Sequence, residues 1–169
     1  MIRRISSNNP SSEKLINEKE YVKMAKPGQA FNYNKPIEDA LGFSAMIHNN
    51  GLLHLAGVIS MGENMQVHAP GDMAAQIERI YDIIEETLAK CGANLAHVVN
   101  EVMYTTDMAK LMEAASARVK RYNGYAYPAC TAVQVAALAF PDALLEVQVT
   151  AQLDKNEWSA ELPPLGSPV

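Results

Sequence analysis

Asp72-Met-Ala-Ala-Gln-Ile-Glu-Arg-Ile-Tyr-Asp-Ile-Ile-Glu-Glu-Thr-Leu-Ala-Lys-Cys91, closed by Gly92, is the best-defined helix in the chain. Met73, Ile77, Ile80, Ile84 and Leu88 recur at intervals of four, three, four and four residues, the spacing that lines one face of a helix. Asp72 is placed to accept a hydrogen bond from the unpaired amides of the first turn, and Gly92 permits the left-handed step that ends a helix.

Upstream of this helix, Phe43, Ala45 and Ile47 alternate with smaller or polar residues, and after His48-Asn-Asn-Gly51 a second run spans Leu52–Met61. Asn50-Gly51 readily takes positive-φ turn geometry, so these two runs are expected to form an antiparallel hairpin. Downstream, His97–Thr105 reads as a strand carrying Val98, Val99, Val102 and Tyr104, although its alternation is imperfect. Met108, Leu111, Ala115, Val119 and Tyr122 return to helical spacing, which predicts a second helix over Met108–Tyr122, capped by Thr106 or Asp107 and stopped at Asn123-Gly124. Thr131–Ala139 and Leu144–Leu153 are the last two strands, joined across Phe140–Ala143. In the final strand Leu145, Val147, Val149, Ala151 and Leu153 face one way, which turns Glu146, Gln148, Thr150 and Gln152 the other way. The order strand, strand, helix, strand, helix, strand, strand predicts a two-layer α+β domain, with a mixed β-sheet and two helices packed on one face. The face away from the helices then needs solvent or another subunit.

The chain has 169 residues, 49% of them hydrophobic and 20% charged, enough for one cored domain and inconsistent with global disorder. Residues 1–40 are rich in Ser, Asn, Lys and Pro and read as an irregular leader with one short helix around Ser12–Met24. Residues 41–153 form the domain, and 154–169 form a Pro-containing extended tail with Trp158 as its anchor. In the first 27 residues six Lys and Arg outnumber three Glu, so the net charge of −5 leaves −8 on the remainder. An acidic body repels phosphate backbones at long range, and Arg118-Val-Lys-Arg121 fits the basic end of a helix better than a nucleic-acid groove. No apolar run approaches a secretory signal or a membrane span, which makes the cytoplasm the expected location. Cys91 and Cys130 are too far apart in sequence to suggest a metal site, and neither they nor two cysteines alone suggest a disulfide framework. His48, His54, His68 and His97 show no metal-ligand spacing, and no cofactor motif is present.

Glu146 is the informative carboxylate. It lies between Leu145 and Val147 in the final strand, where such a group meets solvent, pairs across an interface, or serves a pocket. In Tyr127-Pro-Ala-Cys130-Thr131, Pro128 stiffens the approach to a strand and places backbone amides near Cys130, an arrangement that also suits an ordinary strand start.

Gly57, Asp72-Met-Ala-Ala-Gln76, Gly92, Val102-Met-Tyr-Thr-Thr-Asp107, Pro128-Ala129 and Leu145-Glu-Val147 through Ala151, in this order and spacing, resemble the Rid family of reactive-intermediate deaminases, also called L-PSP-type endoribonucleases. The resemblance covers roughly 43–153. It implies a chorismate-mutase-like fold, a homotrimer with small-molecule clefts between subunits, no bound cofactor, and hydrolysis of enamines or imines to ammonia and a keto acid.

Carried over by position, Glu146 matches the family glutamate that orients water. Phe43, Ala56, Gly57, Tyr127, Cys130 and Thr131 fall on the substrate-binding positions. Cys130 stands where deaminating members have a carboxylate-clamping arginine, Ala56 where serine is common, and Phe43 where tyrosine is usual. A thiol lacks the charged donor pair of a guanidinium. The resemblance therefore implies a hydrolase of a small enamine, imine or related nitrogen compound, or else a noncatalytic metabolite-binding or regulatory trimer; RNA association ranks third.

Overall fold

The protein is described by a computed structural model covering residues 28–62 and 65–154. The helix expected at Ser12–Met24 and the anchor expected at Trp158 lie outside the described residues. The sheet already begins at Gln29, within the stretch read as a leader. Strand β1 (Gln29–Phe31) pairs antiparallel with β2 (Met46–Asn49), and Phe31 reaches the core. Three residues are too few for alternation to be legible. Between these strands lies α1 (Lys35–Leu41). Its buried Glu38 reaches back to accept the backbone amides of Tyr33 and Asn34 at 2.8 and 2.7 Å and the side-chain amide of Asn32, supplying acceptors for the turn that starts the helix.

β2 and β3 (Leu52–Leu55) form the expected hairpin, with Asn50 and Gly51 at φ 50° and 84° in the left-handed geometry of a two-residue turn. After β4 (Val58–Ile59) comes α2 (Met73–Ala89). Asp72 accepts the Ala75 amide at 3.0 Å, and Gly92 at φ 73° closes the far end with Ala93 N–H donating to Leu88 O. Ile77, Ile80, Ile84 and Leu88 are fully buried, each contributing roughly 1.5–3 kcal/mol of burial free energy.

β5 (Val98–Thr105) follows, with a register irregularity between Val98 and Asn100 that accounts for its imperfect alternation. The helix expected over Met108–Tyr122 is two pieces, α3 (Met108–Glu113) and α4 (Ala115–Arg121), interrupted at Ala114 (φ −89°, ψ 4°) while Leu111, Ala117 and Tyr122 keep facing the core. β6 (Ala129–Gln134) is shorter than expected, because its parallel partner β5 ends at Thr105. The last bond, Val135 N–H to Thr105 O, uses that final carbonyl. β7 (Leu145–Gln152) completes a mixed sheet in the order β1-β2-β3-β7-β5-β6, with β4 also on β7. Leu145, Val147, Val149 and Ala151 are buried in the core with α2. No helix among the described residues is long and apolar enough to cross a membrane.

His48 is buried on β2, and its Nε2 accepts the Gly51 amide at 3.1 Å, which requires an unprotonated nitrogen there. Burial holds its pKa below the ordinary value of 6.5. A depressed histidine pKa means the unfolded chain binds the proton more readily, so the stabilisation is complete above 6.5 and is lost as pH falls through the lower folded value. Denaturant titrations should show the protein losing stability as pH falls below 6.5, with His48→Gln removing part of that slope.

Candidate functional site

Opposite the helices, β7 presents Glu146 and Gln148, and β5 presents Tyr104 as the cross-strand partner of Glu146. These three line an open hollow of about 420 Å³ whose wall is Val135, Ala137, Leu138 and Ala139, the segment after β6, and whose rim is Gly57. Polar atoms thus come from the strands and apolar surface from the loop.

Gly57 is placed by a bulge. His54 pairs with Thr150 and Val58 with Val147, so four residues advance on this side against three on β7. The extra residue lies at Ala56-Gly57, directly over Glu146. A Cβ at Gly57 would stand 1.8 Å from Glu146 Oε1 and 2.7 Å from its Cδ. Gly57 thus leaves room for this position of the Glu146 carboxylate, which a side chain there would displace. Beneath it, Glu146 is half-buried and its carboxylate forms no hydrogen bond with another described residue. Burial pushes its carboxyl pKa above the usual value.

Of the positions carried over by resemblance, only Glu146 and Gly57 meet in this hollow. Ala56 adjoins it and donates its amide to Ala45 O at 2.9 Å. Thr131 lies on the same sheet face, in register with Val102, which pairs with Gln148. Phe43 is exposed before β2 and bonds back to Glu38 O. Cys130 and Tyr127 are elsewhere: Cys130 is in register with Glu101, whose side chain points to the helix layer, and the exposed Tyr127 ring lies 6.2 Å from Tyr122. Within one protomer, Cys130 and Glu146 face opposite sides of the sheet.

The sequence reading missed a second carboxylate. Glu101 is fully buried and is held by Tyr81 Oη–H at 2.8 Å, by the Tyr122 hydroxyl, and by Arg118 through Nε at 2.9 Å and Nη2 at 2.5 Å. Arg118 stacks over the Tyr122 ring at 5.0 Å. Burial, reinforced by the adjacent Glu101 charge, raises both tyrosine pKa values far above normal, which keeps their hydroxyls as donors. Burial also pushes the Cys130 thiol up, and the opposing pull of Arg118 does not reverse it. A protonated thiol is a poor nucleophile. The sequence signal for this cluster is the one charged residue in the inward set Val98, Glu101, Met103 and Thr105. The bulge in β5 hid its phase. Arg121 is engaged by Glu78, Asp82 and Glu85 at 3.2, 2.8 and 2.5 Å. No group of three potential metal ligands occurs among the described residues.

This two-layer α+β fold with a glycine-rimmed glutamate defines a recognisable class. The sequence pattern of the Endoribonuclease L-PSP family matches residues 34–153, and the chain belongs to that family, of which the Rid proteins are part. It is similar to Rv2704 from Mycobacterium tuberculosis, a member of the YjgF/YER057c/UK114 family, at 28% identity over 74% of this chain and 98% of that one, with a TM-score of 0.64. NMB1025 of the YjgF family from Neisseria meningitidis gives 26% identity over 73% and 92%, with a TM-score of 0.57. The Rid protein YyfA from Yersinia pestis, 23% identical over 66% and 87% with a TM-score of 0.62, shares the fold. The architecture is the chorismate-mutase-like one of these neighbours.

Two stability measurements separate the carboxylates. Glu101→Ala should lower the unfolding free energy by about 3–5 kcal/mol, because it strands the Arg118 charge in a largely buried site; the double variant with Arg118→Ala should lose less than the two single losses combined. Gly57→Ala should leave the unfolding free energy within about 1 kcal/mol of the parent, since the flexible Glu146 side chain swings away. A crystal structure of that variant would show the displaced carboxylate.

Proposed function

We propose that this protein hydrolyses a small imine, enamine or related carbon–nitrogen compound, with Glu146 as the group that positions and deprotonates water. The observation that carries this reading is the state of Glu146: half-buried, without a hydrogen-bond partner among the described residues, and directed into a hollow kept open by Gly57. A carboxylate so placed has lone pairs open to a donor that no described residue supplies. In the reaction, water adds to the imine carbon as Glu146 takes one of its protons and returns it to nitrogen, giving a carbinolamine. Glu146 then takes the carbinol hydroxyl proton and passes it to nitrogen as the C–N bond breaks and C=O forms, so that ammonia and a carbonyl compound leave. Tyr104 and Gln148 offer polar contacts to the nitrogen and to the carbinol oxygen, while Ala56, Gly57 and Thr131 shape the strand face. Phe43, Tyr127 and Cys130 enter this scheme only through a neighbouring copy, in a homotrimer whose sites lie between subunits. Support for such assembly is the uncovered sheet side, where Val99 and Val133 are 49% and 41% exposed.

The second reading, a noncatalytic metabolite-binding trimer, draws on the position of Cys130 away from the hollow and on its raised thiol pKa. RNA binding is disfavoured, because five of the seven described Lys and Arg side chains form ion pairs with carboxylates of the same chain.

Ammonia release from freshly generated imines should rise with protein concentration, and Glu146→Gln should cut kcat/KM by about a hundredfold to ten-thousandfold, the usual range for general-base catalysis. Because the base must be ionised and burial raises its pKa, the catalysed rate should fall as pH drops through a value above 4.5, an inflection absent from Glu146→Gln. Saturable binding of an imine analogue with no ammonia above the buffer control would select the binding reading instead.

A further inference from the structure

Between Gly28 and Asp154 the positive charges are segregated. The seven described Lys and Arg residues are Lys35, Arg79, Lys90, Lys110, Arg118, Lys120 and Arg121, and each lies in a helix or at a helix end. The strands contribute none, and neither does the segment from Val135 to Ala139 that walls the hollow. The two arginines nearest β5 and β6 in sequence are turned to other work. Arg118 is clasped by Glu101 on the helix side, and Arg121 by three acids of α2. What faces the hollow is one carboxylate, the Tyr104 hydroxyl, the Gln148 amide and aliphatic carbon. A second copy laying its own sheet face across this one would bring no cation on its described strands either.

We infer that the Glu146 hollow selects ligands with a neutral or positively charged nitrogen group and no carboxylate, so that the substrate is an imine or iminium derived from an amine rather than from an amino acid. This rests on the hydrolase reading for turnover, but its binding component stands without it. A ligand carboxylate here meets Glu146 in a partly desolvated space where no described residue brings a cation to offset the repulsion. An iminium or ammonium group meets a counter-ion whose side-chain lone pairs no described residue uses. The balance is hydrolytic and redox-neutral: iminium and water give a carbonyl compound and ammonium, with C=N broken and C=O formed.

The test is a matched pair of imines that differ only in exchanging a methyl for a carboxylate. One is the imine of acetone, generated in place from isopropylamine, and the other is the imine of pyruvate, generated from alanine, each by an amine-oxidising enzyme. The full-length protein should favour the acetone imine by about tenfold or more in kcat/KM, and Gln148→Arg, which adds a cation to the hollow, should narrow or invert that preference. Equal or faster turnover of the pyruvate imine overturns the inference and leaves the hydrolase reading intact. If neither imine is accelerated, the hydrolase reading fails, and calorimetry with isopropylammonium and isobutyrate decides the charge preference. Tighter binding of the cation, lost in Glu146→Gln, upholds it; binding of isobutyrate as tight or tighter, or of neither, overturns it.

Discussion

The strict two-residue period of β7 is the constraint from which the rest of the structure follows. Because adjacent side chains of a strand must point to opposite sides, burying Leu145, Val147, Val149 and Ala151 under α2 forces Glu146 and Gln148 onto the far side. β7 is also the strand with the most neighbours, bonding to β3, β4 and β5. A one-residue slip would place a carboxylate among fully buried isoleucines, so the hydrophobic effect that assembles the core also fixes where the candidate site lies. Gly57 then crosses above Glu146 without displacing its carboxylate.

The chain holds two strand carboxylates on adjacent strands in opposite conditions. Glu101 faces the helices, has lost all contact with water, and is compensated by two hydroxyls and a guanidinium. Its cluster ties β5 to α2 and α4 at once, and such a network holds element positions even where its net contribution to stability is small. Glu146 faces away, retains part of its exposure, and has no compensating donor among the described residues. Burial without compensation is what raises its pKa, and the same environment strengthens any interaction it makes with a ligand.

The long periodic elements were legible in the sequence, and the interruptions were not. α2 with Asp72 and Gly92, the Asn50-Gly51 hairpin and the alternation of β7 all express patterns longer than one turn or one pleat. By contrast, β1 has three residues, α1 breaks no composition trend, and the gap at Ala114 leaves the apolar face of α3 and α4 continuous, so none leaves a mark on periodicity. The end of β6 is set by where its partner stops, which is a tertiary fact. In the candidate site, Glu146 and Gly57 were readable because family pattern and strand phase agreed. Tyr104 passed as a strand-former, and Glu101 was hidden because a bulge at the start of β5 shifts the phase on which its inward orientation depends. Cys130 was read by position alone, and strand register is what assigns it to the helix side.

A fold shaped by stability alone has little use for the Ala56-Gly57 bulge or for a carboxylate beneath it. The bulge interrupts a ladder, glycine adds unfolded-state entropy, and an unpaired half-buried acid carries a desolvation cost. Elsewhere the same chain compensates such costs locally: Glu38 is met by two amides and Asn32, Glu101 by three side chains, and buried Ser60 by a carbonyl. The departure at Gly57 and Glu146 is thus not a general looseness of the sequence. A compensation missing among the described residues leaves this carboxylate open to a donor from a bound molecule or an adjoining copy, and the steric gap at Gly57 leaves space for one.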